Sequence, residues 1–234
     1  MDLKLEALKH YFNEGNDFEI FPTVGGVNNY CDHVKLSNGD RYVLRIYNNG
    51  CDYPRVNFEH HVLLELAKSS KLSSKVPVPI LSKDGKSHVL LSNGTEATLF
   101  EYIPGELPKK TRARDIGRAS GELVTALATI SITDVSPNPR FCDLYKAHHA
   151  TTREIVFEEI KKPAFDITPT ARKYINLLVE EILAIELVIA HLHTVGLPVQ
   201  LIHADLHYDN VLCDGDSVSG LLDFEFSVHD WRGI

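Results

Sequence analysis

Cysteine is scarce in this chain, and its distribution argues against a disulfide framework or a cysteine-based zinc site. Only four of the 234 residues are cysteines, and no two of them form a Cys-x-x-Cys pair. A cysteine-based zinc site needs closely spaced cysteine pairs, and disulfide frameworks are typical of small secreted domains that are rich in cysteine. We therefore expect reduced thiols and a cytoplasmic protein. The cysteines are Cys31, Cys51, Cys142 and Cys213.

The chain also lacks an excess of basic residues. Its 24 lysines and arginines stand against 32 aspartates and glutamates, so the formal net charge is −8 at pH 7. Nucleic acids and anionic membranes are bound through basic faces. The composition therefore argues against either of them as a partner, but it does not argue against ATP.

Long apolar runs are missing as well. Lys4 and Glu6 interrupt the leucines of the N-terminus, which therefore lacks the apolar region of a signal peptide. Residues 3–12 instead predict a short amphipathic helix. Glutamates interrupt the apolar residues of 171–195, so that segment is no membrane span. With 44% hydrophobic residues the chain can bury a substantial core, as one large domain or two lobes.

The most informative segment is His203-Ala-Asp-Leu-His-Tyr-Asp-Asn210, which lies between short apolar runs typical of buried strands. Transfer of a phosphoryl group to a hydroxyl needs a carboxylate that orients the hydroxyl and accepts its proton, and Asp205 suits that role. Mg²⁺ prefers oxygen donors and usually takes one or two from the protein. Asn210 and Asp223 can supply them. The pattern indicates a phosphoryl-transfer site.

A metal-hydrolase interpretation uses His203, Asp205 and His207 as ligands. It offers no second ligand cluster and gives Asn210 and Asp223 no role. Taken alone, each of these residues could also be a solvated loop residue. The hypothesis of a phosphoryl-transfer site therefore depends on the joint pattern.

The motif His-x-Asp-x-x-x-x-Asn at 203–210, followed by Asp-Phe-Glu at 223–225, resembles the loops of the aminoglycoside phosphotransferase and choline kinase group. These are small-molecule relatives of the protein kinases, and the motif is most similar to that of type II homoserine kinases. Ala204 replaces the Arg of His-Arg-Asp, and Glu225 replaces the Gly of Asp-Phe-Gly. Both departures favour a small-molecule kinase. The resemblance implies ATP and Mg²⁺ as cofactors and a bracing role for the histidine that opens the motif.

The same resemblance assigns nucleotide-binding roles upstream. Gly25 and Gly26 precede a strand, where backbone N–H groups could approach phosphates as the Gly-rich loop of kinases does. Arg45 stands where kinases place the phosphate-pairing Lys of Val-Ala-Ile-Lys, and Arg can also bind phosphate. An ordinary turn and an exposed strand Arg are the alternatives for these positions.

A one-faced helix predicted over 55–68 matches the kinase αC helix in order. Kinases pair a glutamate of this helix with the phosphate-binding cation. We expect Glu59 to pair with Arg45 in the same way. Glu65, almost two turns later, is the competing candidate, and a solvated Glu59 is the alternative.

Pro104-Gly105 ends a predicted strand and resembles the hinge between kinase lobes. Backbone groups of Glu101, Tyr102 and Ile103 would then bond the adenine edge. An ordinary exit from strand to loop is the alternative, and the order of motifs favours the hinge.

Together these elements predict an α+β, protein-kinase-like fold with two lobes. Residues 1–103 would form a nucleotide-binding lobe with a small antiparallel sheet and an αC-like helix. Residues 104–234 would form a mainly helical lobe that carries the catalytic and metal loops. Helices are predicted over 111–130 and 171–195, the second of them as a core helix of this lobe. Hairpin strands are predicted over 31–36, 41–47, 88–91 and 97–103.

The functional hypothesis is an ATP-dependent phosphotransferase with an alcohol group as acceptor. The acceptor would be a small metabolite such as homoserine or choline. Glu225 could attract a substrate ammonium group or support the metal ligands from behind. Family members continue past the metal loop, so we expect a chain that stops at Ile234 to be truncated. A nucleotide-binding pseudokinase or regulatory module is the rival, and the retention of the catalytic and metal residues counts against it.

Overall fold

The computed structural model describes residues 2–23, 29–48, 52–146, 151–163 and 166–232. Its mixture of helices and antiparallel strands agrees with the predicted α+β class. The helices are α1 (Leu3–Lys9), α2 (Tyr53–Leu66), α3 (Ala113–Leu127), α4 (Arg153–Lys161) and α5 (Pro169–Val195), with 3₁₀ turns at Lys110–Arg112 and Tyr208–Asn210. The strands are β1 (Phe18–Pro22), β2 (Asn29–Leu36), β3 (Arg41–Tyr47), β4 (Val89–Leu90), β5 (Glu96–Glu101), β6 (Val199–Ile202), β7 (Val211–Asp214), β8 (Ser217–Leu221) and β9 (Val228–Trp231).

The chain divides into two compact units. The first unit comprises Met1–Pro137 and His203–Ser227, and the second comprises Asn138–Ile202 and Val228–Ile234. The segment with the predicted catalytic and metal loops therefore belongs to the first unit. This division differs from lobes at 1–103 and 104–234, and that lobe boundary stays a prediction.

A five-stranded antiparallel sheet in the order β1-β2-β3-β5-β4 dominates the first unit. The predicted hairpin is present, and β2 pairs with β3 from Asn29↔Tyr47 to Lys35↔Arg41. Its turn contains Gly39 at φ +96, a conformation that glycine adopts without steric cost. Strand β1 has no counterpart among the predicted strands, because it is short and ends in a proline that suits only a sheet edge.

Helix α1 packs against one face of this sheet. Alternate residues of a strand point to opposite faces, so one set of strand residues forms a continuous apolar surface. Ala7 and Leu8 of α1 are fully buried in the same cluster. Lys4 of α1 also forms an ion pair with the buried Asp32 of β2 at 2.8 Å. The strand members of the cluster are Val34, Leu36, Leu44, Ile46, Val89, Ala97 and Leu99.

A hairpin of β7 and β8 supports the segment that follows β5. Gly105 has φ +146, and a Cβ atom on it would lie 2.5 Å from the Ser219 Oγ, so only glycine fits there. The next residue, Glu106, exchanges two backbone hydrogen bonds with Cys213 of β7, each 2.9 Å long. The predicted hinge is therefore held directly against the hairpin that follows the catalytic loop.

The second unit contains α4, α5 and the antiparallel pair β6–β9. Thr168 caps the N-terminus of α5 by accepting a hydrogen bond from the Ala171 N–H, and Gly196 ends it at φ 66. These bounds agree with the prediction, but the predicted core position of α5 is wrong. Its apolar side chains lie on several sides of the helix, and the described part of the chain buries none of them. Among the described helices, none combines the length and apolar content that a membrane crossing requires.

The contact between α1 and the sheet gives a testable contribution to stability. Leu8 is fully buried, whereas Leu5 of the same helix is 42% exposed. We expect Leu8→Ala to lower the free energy of unfolding by about 2–5 kcal/mol, because it leaves a cavity in the sheet core. Denaturant unfolding measures the loss. Leu5→Ala is the matched control, since it removes the same atoms from the same helix, and equal losses for the two variants would contradict the packing described here.

Candidate active site

The loop from His203 to Asn210 is braced from within by His203. This side chain is buried, its Nε2 lies 2.9 Å from the Leu222 carbonyl oxygen, and its Nδ1 accepts a hydrogen bond from the Asp205 N–H at 3.2 Å. Burial lowers the pKa of His203 to about 4, so the ring is neutral at pH 7 and Nε2 carries the proton that it donates to Leu222. The ring also packs on Phe224, with 4.4 Å between centroids. His203 therefore joins the predicted catalytic loop, residues 203–210, to residues 222–225, which are called the metal segment below because they contain the predicted metal ligand Asp223.

Two residues of these segments adopt left-handed backbone conformations. Ala204 has φ 68 and Asp223 has φ 64, and neither is glycine. Such conformations cost about 1–3 kcal/mol each and persist only where the surrounding contacts impose them. At Ala204 the left-handed turn lies between the buried His203 and Asp205, so the backbone turns sharply just before the predicted catalytic carboxylate.

The predicted catalytic aspartate and metal-binding asparagine are in direct contact. Asn210 Nδ2 donates to the Asp205 main-chain oxygen at 2.8 Å and to its Oδ2 at 3.3 Å. The Leu222 N–H donates to the Asn210 carbonyl oxygen at 2.8 Å, which brings Asp223 to the same place. The Asp205 side chain remains 38% exposed, so an acceptor hydroxyl can reach it.

Arg45 joins the sheet, helix α2 and the metal segment. Its Nη1 donates to the Glu59 Oε1 at 2.9 Å, and its Nη2 donates to the Asp223 Oδ1 at 3.4 Å. Glu59 is buried on α2, whereas its competitor Glu65 binds the exposed Lys68. The structure thus brings Arg45 together with Glu59, and the nucleotide-binding roles of both residues stay predictions.

Acidic side chains outnumber basic ones around Arg45. Burial raises the pKa of Glu59 to about 7 despite the opposing effect of Arg45, and the charges of Asp223 and Glu225 raise it further. Burial also raises the pKa of Asp223, again against Arg45, with Glu225 and Asp205 adding to the rise. For Arg45, burial lowers the pKa, but the charges of Glu59, Tyr47 and Asp223 together outweigh burial, and the net effect is a raised pKa. Carboxylates thus crowd around this guanidinium, and a divalent cation would relieve their repulsion.

The donor set fits a hard cation better than a zinc ion. Asp223 offers carboxylate oxygens and Asn210 an amide oxygen, which are the donors that Mg²⁺ prefers. Across the described ranges, no group of three or more His, Cys, Asp or Glu side chains could hold a metal ion. Both ring nitrogens of His203 are engaged, Nδ1 by the Asp205 N–H and Nε2 by the Leu222 carbonyl oxygen. These observations disfavour the metal-hydrolase interpretation.

The predicted adenine-binding residues lie at the end of β5 and just after it. The Glu101 N–H donates to the Val78 carbonyl oxygen at 3.0 Å, so this donor is used within the protein. The Tyr102 ring packs against Arg41, with 3.7 Å between the guanidinium carbon and the ring centroid. Ile103 is buried. Contacts of this segment with adenine stay predictions.

The predicted phosphate-binding glycines, Gly25 and Gly26, lie outside the described residues. The structure does describe Asn29, whose Nδ2 donates to the Glu225 Oε2 at 3.0 Å. Asn29 has no predicted role. The one signal available was its position in an Asn-Asn pair shortly after the two glycines.

Comparison with known families and sequences identifies relatives of this chain. The model of the Phosphotransferase enzyme family matches residues 24–234. The homoserine kinase of Zymomonas mobilis subsp. mobilis is 26% identical over 224 residues, which cover 95% of this chain and 64% of the relative. The homoserine kinase of Rhizobium johnstonii is 29% identical over 157 residues, which cover 66% of this chain and 43% of the relative. The chain thus spans less than two thirds of the length of these relatives.

Solved structures agree with the fold. The amicoumacin kinase hAmiN, in complex with AMP-PNP, Ca²⁺ and Ami, superposes with a TM-score of 0.61 at 16% identity, over 99% of this chain and 66% of the other. The macrolide 2'-phosphotransferase MphH from Brachybacterium faecium gives a TM-score of 0.60 at 18% identity, over 98% and 73% of the two chains. At such low identity these matches confirm the predicted kinase-like fold and nothing finer.

The raised pKa of Glu59 predicts a pH dependence of stability. Its folded-state pKa of about 7 exceeds the ordinary value of 4.5, so the folded state binds more protons than the unfolded state between these values. The free energy of unfolding of the wild type, compared with that of Glu59→Gln, should therefore fall as the pH rises from about 4.5 to about 7. The reason is that unfolding of the wild type releases this proton in that range. Urea unfolding of both proteins across that range measures the difference. Glu65→Gln is the control. If the difference in free energy of unfolding between the wild type and Glu59→Gln stayed constant with pH, the raised pKa of Glu59 would be contradicted.

Proposed function

Because the chain belongs to the phosphotransferase enzyme family, we propose that it is an ATP-dependent kinase that phosphorylates a hydroxyl of a small metabolite. The observation that carries the proposal is the direct contact between Asp205 and Asn210, with Asp223 held beside them through Leu222. One compact arrangement thus offers an accessible carboxylate and two oxygen donors for a metal. Phosphoryl transfer needs this combination, because the protein contributes mainly positioning and charge stabilisation.

Asp205 would orient the acceptor hydroxyl and accept its proton as the phosphoryl group is transferred. Its backbone N–H is bonded to the neutral His203 and its carbonyl oxygen to Asn210, so the position of its carboxylate is restricted. A restricted base lowers the entropic cost of reaching the reactive geometry. The bracing of the loop therefore serves catalysis.

Asn210 and Asp223 would hold Mg²⁺, and Arg45, oriented by Glu59, would bind nucleotide phosphates. Bound Mg²⁺ would neutralise charge on the nucleotide phosphates. Arg45 can form two parallel hydrogen bonds to phosphate through its guanidinium, and it stays charged at any relevant pH. Gly25 and Gly26 would approach the phosphates with backbone N–H groups, and the segment Glu101–Ile103 would bind the adenine edge.

Homoserine is the acceptor that the relatives favour. The two curated relatives described above are homoserine kinases, and one of them aligns over 95% of this chain. The structural neighbours act on other compounds by name, but they support the fold alone. An amino acid carries an ammonium group, and the carboxylate excess around Arg45 would attract it electrostatically. Choline and other amino alcohols share this cationic group and are the alternatives.

Substitution of the two aspartates should separate catalysis from metal binding. Asp205→Asn should lower kcat by at least about 10²-fold, because it removes the base, while Mg²⁺-dependent nucleotide binding persists. Asp223→Asn should weaken Mg²⁺-dependent nucleotide binding itself. ADP release measures kcat, and the nucleotide-induced rise in Tm with and without Mg²⁺ measures binding. Asp209→Asn, in the same loop and exposed, is the control, and equal kcat for Asp205→Asn and the wild type would refute the mechanism.

A panel of acceptors tests the proposed substrate. Homoserine, choline, ethanolamine and an aminoglycoside are each incubated with the protein, ATP and Mg²⁺, and ADP release is measured. We expect homoserine to give the highest kcat/KM, because the relatives share this name. Turnover of another acceptor would support the proposed kinase activity but contradict homoserine as its substrate. A Mg²⁺-dependent rise in Tm without turnover of any acceptor would favour the pseudokinase.

A further inference from the structure

The metal segment contacts the sheet at two points. Asp223 accepts from Arg45 of β3 at 3.4 Å, and Glu225 accepts from Asn29 of β2 at 3.0 Å. Phe224, between them, is fully buried and packs on the His203 ring. The two acidic side chains thus reach the sheet on either side of a buried aromatic residue, which fixes the segment locally.

The two contacts differ in what the proposed reaction requires of them. A carboxylate that binds Mg²⁺ directs its oxygens at the cation, and the Asp223 Oδ1 is the atom that Arg45 contacts here. Arg45 in turn has to direct its guanidinium at the phosphates. The Asp223–Arg45 contact therefore competes with the proposed binding of Mg²⁺ by Asp223 and of phosphate by Arg45. The contact between Glu225 and Asn29 uses neither of these groups.

Asn29 is itself held in place by the sheet. It is paired with Tyr47 at the end of the β2–β3 ladder. Its Oδ1 accepts from the Asn48 N–H at 3.4 Å, while its Nδ2 donates to Glu225. The amide thus has a preferred orientation, with its oxygen toward β3 and its nitrogen toward the metal segment. The acceptor, Glu225, is buried, and a hydrogen bond to a buried charged group is among the stronger kinds.

We propose that the Asn29–Glu225 hydrogen bond anchors the metal segment to the sheet while Asp223 exchanges Arg45 for Mg²⁺. Asn29 and Glu225 are then positioning residues, because they act through Asp223. The anchor rests on the proposed kinase function, since it assigns a role within the same site. The anchor also connects the first residue of β2, which follows Gly25 and Gly26 in sequence, to the segment that contains Asp223.

An inverted pair of substitutions tests the anchor. Asn29→Asp places a carboxylate against Glu225 and replaces the hydrogen bond with repulsion. In the double variant Asn29→Asp/Glu225→Gln, the new amide can donate to the new carboxylate, and the formal charge of the pair equals that of the wild type. Glu225→Gln alone keeps an oxygen that can accept from Asn29 but removes the charge. Asn57→Asp, on the exposed face of α2, is the charge-matched control.

Kinetics at varied Mg²⁺ and ATP provide the readout. We expect Asn29→Asp to lower kcat/KM for ATP by about tenfold or more and to raise the Mg²⁺ concentration for half-maximal activity, because Asp223 is no longer held in place. The double variant should recover most of this loss. Glu225→Gln should be milder than Asn29→Asp, and Asn57→Asp should match the wild type. A merely structural role would lower Tm without moving the Mg²⁺ dependence.

Three outcomes would overturn the anchor while the kinase stands. In the first, the wild type is active and Asn29→Asp has the same kcat/KM and Mg²⁺ dependence. In the second, the double variant has no higher kcat/KM than Asn29→Asp. In the third, Glu225→Gln loses as much kcat/KM as Asn29→Asp. The last outcome would assign Glu225 a direct role through its charge. A wild type that neither shows a Mg²⁺-dependent rise in Tm with ATP nor releases ADP would overturn the proposed function, and the anchor with it.

Discussion

The pairing of the partly buried Arg45 is the constraint on which the first unit depends. A guanidinium cannot lose its proton to escape burial, so a buried one requires carboxylate partners with good geometry. The partners come from two other elements, Glu59 from α2 and Asp223 from the metal segment. Arg45 therefore links the sheet, the helix and the metal segment. Misplacing any of them would leave a partly buried charge without a partner.

The same constraint supports the nucleotide chemistry proposed for the site. Burial raises the pKa of Glu59 and of Asp223, the charge of Glu225 raises both pKa values further, and Arg45 compensates only in part. A site with surplus negative charge and oxygen donors stabilises a divalent cation, and the cation in turn admits the polyanionic phosphates. The neutral His203 stabilises the site without adding charge, because it forms hydrogen bonds with Asp205 and with Leu222.

Local elements could be predicted from the sequence because their signals are short-range. The β2–β3 hairpin is marked by its turn glycine, and both ends of α5 are marked by Thr168 and Gly196. Strand β1 could not be predicted, since its pairing with β2 rather than its own composition makes it a strand. The predicted core position of α5 was wrong because burial of a helix also depends on other elements. Apolar content indicates that a helix can be buried, and only packing partners decide whether it is.

The sequence by itself determined that Asp205 and Asn210 lie five positions apart on one short loop. It also placed Asp223 directly after the β7–β8 hairpin, whose paired strands return the chain to Asn210. The tertiary structure alone decided that Glu59 rather than Glu65 faces Arg45. It also decided that Asn29 meets Glu225, its partner 196 positions along the chain. Side chains so far apart in sequence carry no local signal of their contact, since only the folded sheet brings them within hydrogen-bonding distance.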